Sequence, residues 1–599
     1  MIHPTIEKVY ESIAKRSQSS RANYLKEMKQ YFNSGINRAS MSCGNLAHSF
    51  AACSMQDKLK LKDDITPNIG IISAYNDMLS AHKPYEDYPE MIRKWSNKYD
   101  CVAQFAAGVP AMCDGVTQGQ KGMELSLYSR DVIAMSAAVG LSHNVFDGVV
   151  YLGICDKIVP GLMMAALKFG YLPSIFLPGG PMASGISNDE KAKIRQDFAE
   201  NKITRAELLE GESDAYHSPG TCTFYGTANS NQMLMEIMGM QLPGSSFVNP
   251  GTKMRDAMNH AGIKTLISNI RSQSIFPTPC EIINEKSIVN GIIGLLATGG
   301  STNLTIHLIA IAKAAGIIIN WEDFSELSKV IPLITRVYPN GSADINHFHA
   351  AGGLSFVIES LLENGLLYDS VQTVLGQGLH HYTKEAKMVG DLIDYKKADH
   401  SIYNDKIVRK CESPFANTGG LSVISGNIGR GVSKISAVEQ EHWIIEAPAV
   451  VFYEQEDLME AFKRDALNQD FIAVLPFQGP QQNGMPELHK LTPILSILQR
   501  RGFKVGLITD GRMSGASGKI PSAIHICPEA SQGGNIAKIK DGDRIHLNCQ
   551  TGALNVIDVD LSKRALPKIE KQMKGLGTEL FDKISQQISS SEEGASFLV

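Results

Sequence analysis

GVVYLGICDKIVPGLMMAALK, residues 148–168, runs from an apolar strand through a polar turn into an apolar helix. Gly148 to Ile154 has no polar alternation, which predicts a strand buried on both faces rather than one side of an open sheet. Cys155-Asp156-Lys157 follows at once, then Pro160-Gly161 and a helical pattern from Leu162. Residues 68–73 and 172–177 have the same texture, each ending in a polar or glycine-rich loop before a helical pattern. Continuous apolar strands alternating with helices predict an α/β fold, with a mainly parallel sheet covered by helices in three α/β/α layers.

The domain organisation is read outward from that stretch. Residues 1–65 form a helical extension, with amphipathic helices over 6–15 and 22–32. Residues 66–395 are the α/β/α domain. The polar stretch 380–413, carrying Lys384, Lys387, Lys396 and Lys397, marks the boundary. In 396–599 the strands come closer together, at 443–453, 471–476, 505–509, 544–549 and 554–561, with helices at 456–466 and 491–500. This half is predicted to be a β-rich barrel or sandwich. The glycine-rich run Gly426-Asn427-Ile428-Gly429-Arg430-Gly431 does not fit GxGxxG and reads as a turn.

Composition excludes several classes. The 599 residues are 43% apolar and 20% charged, so the chain is neither disordered nor fibrous. Its 57 basic and 62 acidic residues give a net charge of −5, which does not fit a nucleic-acid polyelectrolyte. The first 30 residues carry charge throughout, unlike a signal peptide. The longest apolar stretch, 304–319, contains His307 and Lys313 and is too short to cross a bilayer. Ten cysteines are too few for a disulfide scaffold. The expectation is a cytoplasmic, multi-domain enzyme without membrane or nucleic-acid partners.

Chemistry-bearing residues concentrate in loops. In open α/β sheets ligands bind at the carboxyl ends of strands, where Cys155, Asp156 and Lys157 fall. The plain alternative is a buried cysteine beside a surface Asp–Lys pair. Cys222, in Ser218-Pro219-Gly220-Thr221-Cys222-Thr223, precedes a Met-rich helical pattern at 228–240 that reads as core filler. Met112-Cys113-Asp114-Gly115 adds a third cysteine. None forms a CxxC, so zinc-ribbon and ferredoxin readings fail, while single thiolates on separate loops remain compatible with a fold-assembled iron–sulfur cluster. In the second half, Asn483-Gly484-Met485-Pro486-Glu487 and Asp510-Gly511-Arg512-Met513-Ser514-Gly515 lie in glycine-rich loops after apolar strands. The Ser514 loop reads equally as a phosphate cradle, a surface turn or a nucleophile site, although no Ser–His–Asp framework accompanies it. Among basic residues in such loops, Arg430 and Lys434 read as surface charge and Arg512 is the best substrate candidate.

Together these loops resemble the dihydroxy-acid and 6-phosphogluconate dehydratase family over nearly the whole chain. The resemblance rests on Cys155-Asp156-Lys157 with Pro160-Gly161, Leu177-Pro178-Gly179-Gly180-Pro181-Met182 and Gly220-Thr221-Cys222-Thr223. It continues in Gly299-Gly300-Ser301-Thr302-Asn303, His349-Ala350-Ala351-Gly352-Gly353, Gly484-Met485-Pro486-Glu487 and Thr509-Asp510-Gly511-Arg512-Met513-Ser514-Gly515. An N-terminal extension with Arg21-Ala22-Asn23-Tyr24-Leu25 and Ser42-Cys43-Gly44-Asn45-Leu46-Ala47-His48 favours the phosphogluconate branch. So does Asn76-Asp77-Met78-Leu79-Ser80-Ala81-His82, where Ala81 stands at the place of a cluster cysteine in the dihydroxy-acid branch.

The resemblance implies a hydro-lyase that dehydrates 6-phospho-D-gluconate to 2-dehydro-3-deoxy-6-phospho-D-gluconate in the Entner–Doudoroff pathway. A non-phosphorylated sugar acid or a branched-chain dihydroxy acid is the alternative substrate. It further implies a three-layer α/β/α domain joined to a β-barrel-like domain, and a homodimer. Cys155 and Cys222 are implied as ligands of a 4Fe–4S cluster, with Cys113 the first candidate for the third. Asp114, Asp156, Glu487 and a carbamylated Lys157 are implied around Mg2+ or Mn2+. Ser514 is the implied base, and Arg512 and Asp510 are candidates for substrate contact.

Overall fold

The computed structural model describes residues 1–33, 35–399, 403–515, 518–567, 569 and 574–599. Ala516 and Ser517, in the loop after Ser514, lie outside them. Four parallel strands form the first sheet: β1 (Asn68–Ser73), β2 (Val102–Gly108), β3 (Gly148–Leu152) and β4 (Ser174–Phe176), in the order β2-β1-β3-β4. The chain therefore moves one way across the sheet from β1 to β2 and the other way from β2 through β3 to β4. With right-handed crossovers, the reversal puts helix Tyr88–Lys98 on one face and Ser126–Leu141 with Ile158–Lys168 on the opposite face. Helix Lys253–Arg271 packs beside Tyr88–Lys98. All residues of β1, β3 and β4 are buried, which is why these strands read as unbroken apolar runs. Strand β2 was not among the expected strands. As the sheet edge it is buried only in part, so its sequence lacks that signature.

Helices Ser126–Leu141 and Ile158–Lys168 approach closely at Gly161. A Cβ there would lie 2.4 Å from the Arg130 carbonyl oxygen and 2.9 Å from Ile133 Cγ2. Gly161→Ala recovers up to about 1 kcal/mol of helix propensity, but pushing on backbone costs about 1–3 kcal/mol. The expected result is a net loss of stability seen as a lower thermal midpoint. An unchanged midpoint would show that the helix pair yields without strain.

The N-terminal extension differs from expectation. The two helices expected over 6–15 and 22–32 are one, Pro4–Tyr31, with Ile6, Val9, Ile13, Ser17, Arg21, Tyr24 and Met28 on its buried side, and two shorter helices, Cys43–Ala51 and Met55–Leu61, follow it. Ser17 and Arg21, which lie between the two expected helices, bind other helix ends. Ser17 Oγ accepts from the Ile318 amide at 2.8 Å. Arg21 donates to the carbonyls of Ala315, Cys280 and Ile283 at 2.7–2.8 Å. Carbonyls left over at helix ends require such donors.

The second half closes into an eight-stranded barrel rather than a sandwich. Its order is Arg430–Lys434, Ser522–Cys527, Val505–Thr509, Phe471–Leu475, Ile444–Val451, Arg544–Asn548, Ala553–Val556 and Leu421–Ser425. Residues 426–429 form the turn of an antiparallel hairpin. Ile445, Ile472, Val474, Ile508, Ile526 and Leu547 belong to one apolar cluster. Phe471, Ala473, Leu475 and Leu507 join the main core, so the middle strands are apolar on both sides. No described helix is long and apolar enough to cross a membrane.

Candidate active site

The site forms where the carboxyl ends of the sheet strands meet the barrel. After β3, Cys155 takes φ +80°, a left-handed turn that stops the strand before Lys157 caps helix Ile158–Lys168. After β2, Cys113 caps the short helix Asp114–Thr117. Cys222 follows a bridge between Pro181 and Thr221 and precedes helix Thr227–Ile237. The methionines of that pattern, Met233, Met235 and Met238, are fully buried core residues. Ala81 is buried, and its loop is tied to the Cys222 segment by the Gly220 amide donating to the Ser80 carbonyl at 2.8 Å.

The three expected cysteines come together and are not in disulfides. The Cys155 thiol hydrogen-bonds the Cys113 sulfur, which lowers the pKa of Cys113 and raises that of Cys155. Burial, followed by the charge of Cys113, pushes Cys222 up to about 12. The Cys113 sulfur thus disfavours ionisation of both Cys155 and Cys222, and three sulfurs gathered in a buried space suit a cationic occupant.

Beside them, carboxylate oxygens of Asp114, Asp156 and Glu487 lie within 4.8 Å of one another. Glu487 arrives from the barrel side, in a two-residue parallel pairing with Arg512. Lys157 Nζ contacts Asp114 and lies 3.5 Å from Asp156. Arg512 Nη2 donates to Asp114 at 2.8 Å, and its Nη1 is 3.8 Å from Glu487. Ser126 Oγ also donates to Asp114. Burial would raise the Asp114 pKa, but Lys157 and Arg512 override it and hold the group well below the carboxylate range. Burial and then the Asp114 charge push Glu487 up to about 8, against the pull of Arg512. Asp156 is raised by burial as well. Two cations do not satisfy three buried carboxylates, so the cluster has capacity for a further cation.

Ser514 is half-buried and follows Arg512–Met513 directly. Gly515 backs onto the start of helix Thr227–Ile237: a Cβ there would lie 2.8 Å from Gly226 Cα and 2.9 Å from the Thr227 nitrogen. The serine loop thus reaches the helix that follows Cys222. Asp510 turns its carboxylate to backbone instead, accepting from the amides of Phe477, Gln478 and Ala530 at 2.8–3.2 Å. Arg430 pairs with Glu322 and Glu592. Lys434 donates to the carbonyls of Gly299 and Gly300, both at 2.7 Å, closing the end of helix Glu285–Thr298.

Asn231 was missed by sequence reasoning. Its Nδ2 donates to the Cys155 and Asp156 carbonyls at 3.2 and 2.9 Å, holding the turn that bears both side chains. The signal was present as four consecutive polar residues, Asn229 to Gln232, inside a buried apolar helix. Asn231 Oδ1, Asn303 Oδ1, Arg512 Nη1 and His525 Nε2 are buried without hydrogen-bond partners. Buried polar atoms of this kind call for a ligand or water.

The dihydroxy-acid/6-phosphogluconate dehydratase N-terminal model matches residues 66–382, and the corresponding C-terminal model matches 406–595. Phosphogluconate dehydratase of Rhizobium meliloti (strain 1021) is 55% identical over 591 residues, 98% of each chain. Its namesake in Escherichia coli (strain K12) is 54% identical over 99% of each. Dihydroxy-acid dehydratase of Caldanaerobacter subterraneus subsp. tengcongensis is 33% identical, covering 89% of this chain and 94% of its own.

Proposed function

The chain belongs to the dihydroxy-acid/6-phosphogluconate dehydratase family, and we propose that it dehydrates 6-phospho-D-gluconate to 2-dehydro-3-deoxy-6-phospho-D-gluconate. It is a hydro-lyase, and the step is that of the Entner–Doudoroff pathway. The substrate reading is supported by phosphogluconate dehydratases that match the full length at 54–55% identity. The observation that carries the chemistry is the meeting of three sulfurs with three carboxylates, the latter within 4.8 Å of one another.

The donor sets fit two kinds of metal. Cys113, Cys155 and Cys222 offer soft sulfur, suited to an iron–sulfur cluster, here read as 4Fe–4S. Asp114, Asp156 and Glu487 offer hard oxygen, suited to Mg2+ or Mn2+, and the raised Glu487 carboxyl is a group in need of a cation. Lys157 as a carbamate would add a further oxygen donor in place of a repelling ammonium. When bound, these groups supply Lewis acidity for loss of the C3 hydroxyl and for the charge that builds beside the substrate carboxylate.

The protein's own residues do the rest. Ser514 Oγ, as the alkoxide, takes the C2 proton and passes it to the departing C3 hydroxyl, which leaves as water. A serine is a base near neutral pH only in positive surroundings, and Arg512 and the start of helix Thr227–Ile237 provide them. Arg512 also fixes Asp114, and Asn231 fixes the Cys155–Asp156 turn. The enol left after water departs then tautomerises to the 2-keto acid.

We place the enzyme in the cytoplasm as a homodimer. The dimer is supported by the partly exposed edge strand β2, with Phe105 43% exposed, and the neighbouring helix with Met135 46% and Val139 67% exposed. A second copy would cover this apolar face. Anaerobic purification with iron and sulfide analysis, followed by assay on 6-phosphogluconate, tests the reading. Substrate-dependent 2-keto acid is expected, and an intact cluster without turnover would refute it.

A further inference from the structure

The dehydratase reading leaves the phosphate end of the substrate without a partner. Three basic residues of the barrel side are already engaged: Arg430 by two glutamates, Lys434 by two carbonyls and Arg512 by the carboxylate cluster. Lys191, on helix Asn188–Ala199, is different. It is only 7% exposed, and its ammonium lies over two rings, 4.9 Å from the centre of Tyr216 and 5.7 Å from that of Phe224.

The acidic groups whose charge reaches Lys191 are committed elsewhere. Glu212 forms a bidentate pair with Arg195. Asp344 caps helix Ile345–Ala350 and accepts from Ser184 Oγ at 2.5 Å. Ring faces offset part of the cost of burying an ammonium but satisfy none of its three N–H donors. Such a group is prepared for an anion.

Its position fits the substrate. The ring of Phe224, two residues beyond Cys222, lies 5.7 Å from the Lys191 ammonium, so Lys191 stands against the segment that carries this sulfur. Lys519, on the loop beyond Ser514, lies 6.0 Å over the Tyr338 ring, and the Tyr338 carbonyl accepts from the Tyr225 amide at 2.9 Å, next to Phe224. On the dehydratase reading, C1 at the carboxylates and C3 at the sulfurs leave the C4–C6 arm and its phosphate to be held by groups on the Cys222 side, where Lys191 lies.

We propose that Lys191, seated on Tyr216 and Phe224, binds the terminal phosphate of the substrate and makes the enzyme prefer phosphorylated sugar acids. This rests on the dehydratase reading above. A charge-assisted hydrogen bond lost from a phosphate weakens binding by about ten- to hundredfold.

The test uses cluster-loaded wild type, Lys191→Met and Lys191→Arg, with 6-phosphogluconate as substrate and inorganic phosphate as probe. Inorganic phosphate should compete with substrate in the wild type. In Lys191→Met, KM should rise by about ten- to hundredfold with the loss falling on KM rather than kcat, and phosphate competition should weaken in step. Lys191→Arg should recover much of both. Unchanged KM and phosphate inhibition in Lys191→Met would overturn the proposal. So would a fall in kcat alone accompanied by a changed visible spectrum, which would mark Lys191 as a support of Cys222. If wild type turned over no 6-phosphogluconate the dehydratase reading would fail by itself, and phosphate titration of wild type against Lys191→Met, followed by calorimetry, would still decide whether this lysine binds the anion.

Discussion

Ser514→Ala keeps the visible spectrum and substrate affinity of the loaded enzyme but lowers kcat on 6-phosphogluconate by about 10²- to 10⁴-fold, the range general-base removal produces. The expectation follows from position. Ser514 is tied by chain to Arg512, whose guanidinium holds Asp114, and by its loop to the helix after Cys222. Its segment therefore runs from the Arg512–Asp114 pair to the start of the helix after Cys222, and Ser514 itself is half-buried. Removing one oxygen leaves the backbone undisturbed, so the loss should appear in turnover alone. Solvent exchange of the substrate C2 proton, followed by NMR, separates proton removal from later steps. Exchange and kcat should fall together, and a variant that still exchanges at the wild-type rate would remove Ser514 as the base.

Cys155→Ser, Cys222→Ser and Cys113→Ser are each expected to abolish the brown absorbance and with it all but a trace of activity. The hydroxyl is a poor soft-metal ligand, and in the proposed set each of three separate loops supplies one sulfur. Cys43, which is exposed, and Cys411, which hydrogen-bonds Ser360, serve as controls. Their serine variants should retain iron, sulfide and rate. Cys113 is the informative member, since its sulfur accepts from the Cys155 thiol. If Cys113→Ser kept a full complement of iron and sulfide, the third ligand would have to come from elsewhere.

How much was legible depended on whether a feature is local. The Gly148–Lys168 stretch announced its strand and helix because a strand buried on both faces has a continuous apolar signature, although the helix starts at Ile158 and takes in Pro160 and Gly161 instead of following them. The barrel strands Phe471–Leu475 and Val505–Thr509 were legible for the same reason. Strand β2 was not, because an edge strand with Gln104 and Phe105 partly exposed carries no such run. The long N-terminal helix was not legible as one, because the polar run 16–21 between its two amphipathic halves reads as a turn, and Ser17 and Arg21 within it are buried. They are polar because they bind the ends of other helices.

The linear chain by itself carried the cysteines, the acidic residues and the serine as types on loops after apolar strands, because each depends on a few neighbours. It also carried the α/β and barrel textures, since hydrophobic periodicity is local. Only the folded structure brought Glu487 and Arg512 to Asp114, paired Cys113 with Cys155, and set Lys191 on two rings beside Cys222. Arg512 and Asp114 stand 398 positions apart. A contact of that separation is created by the packing of the two halves, and the order of residues alone does not encode which charges will be desolvated together.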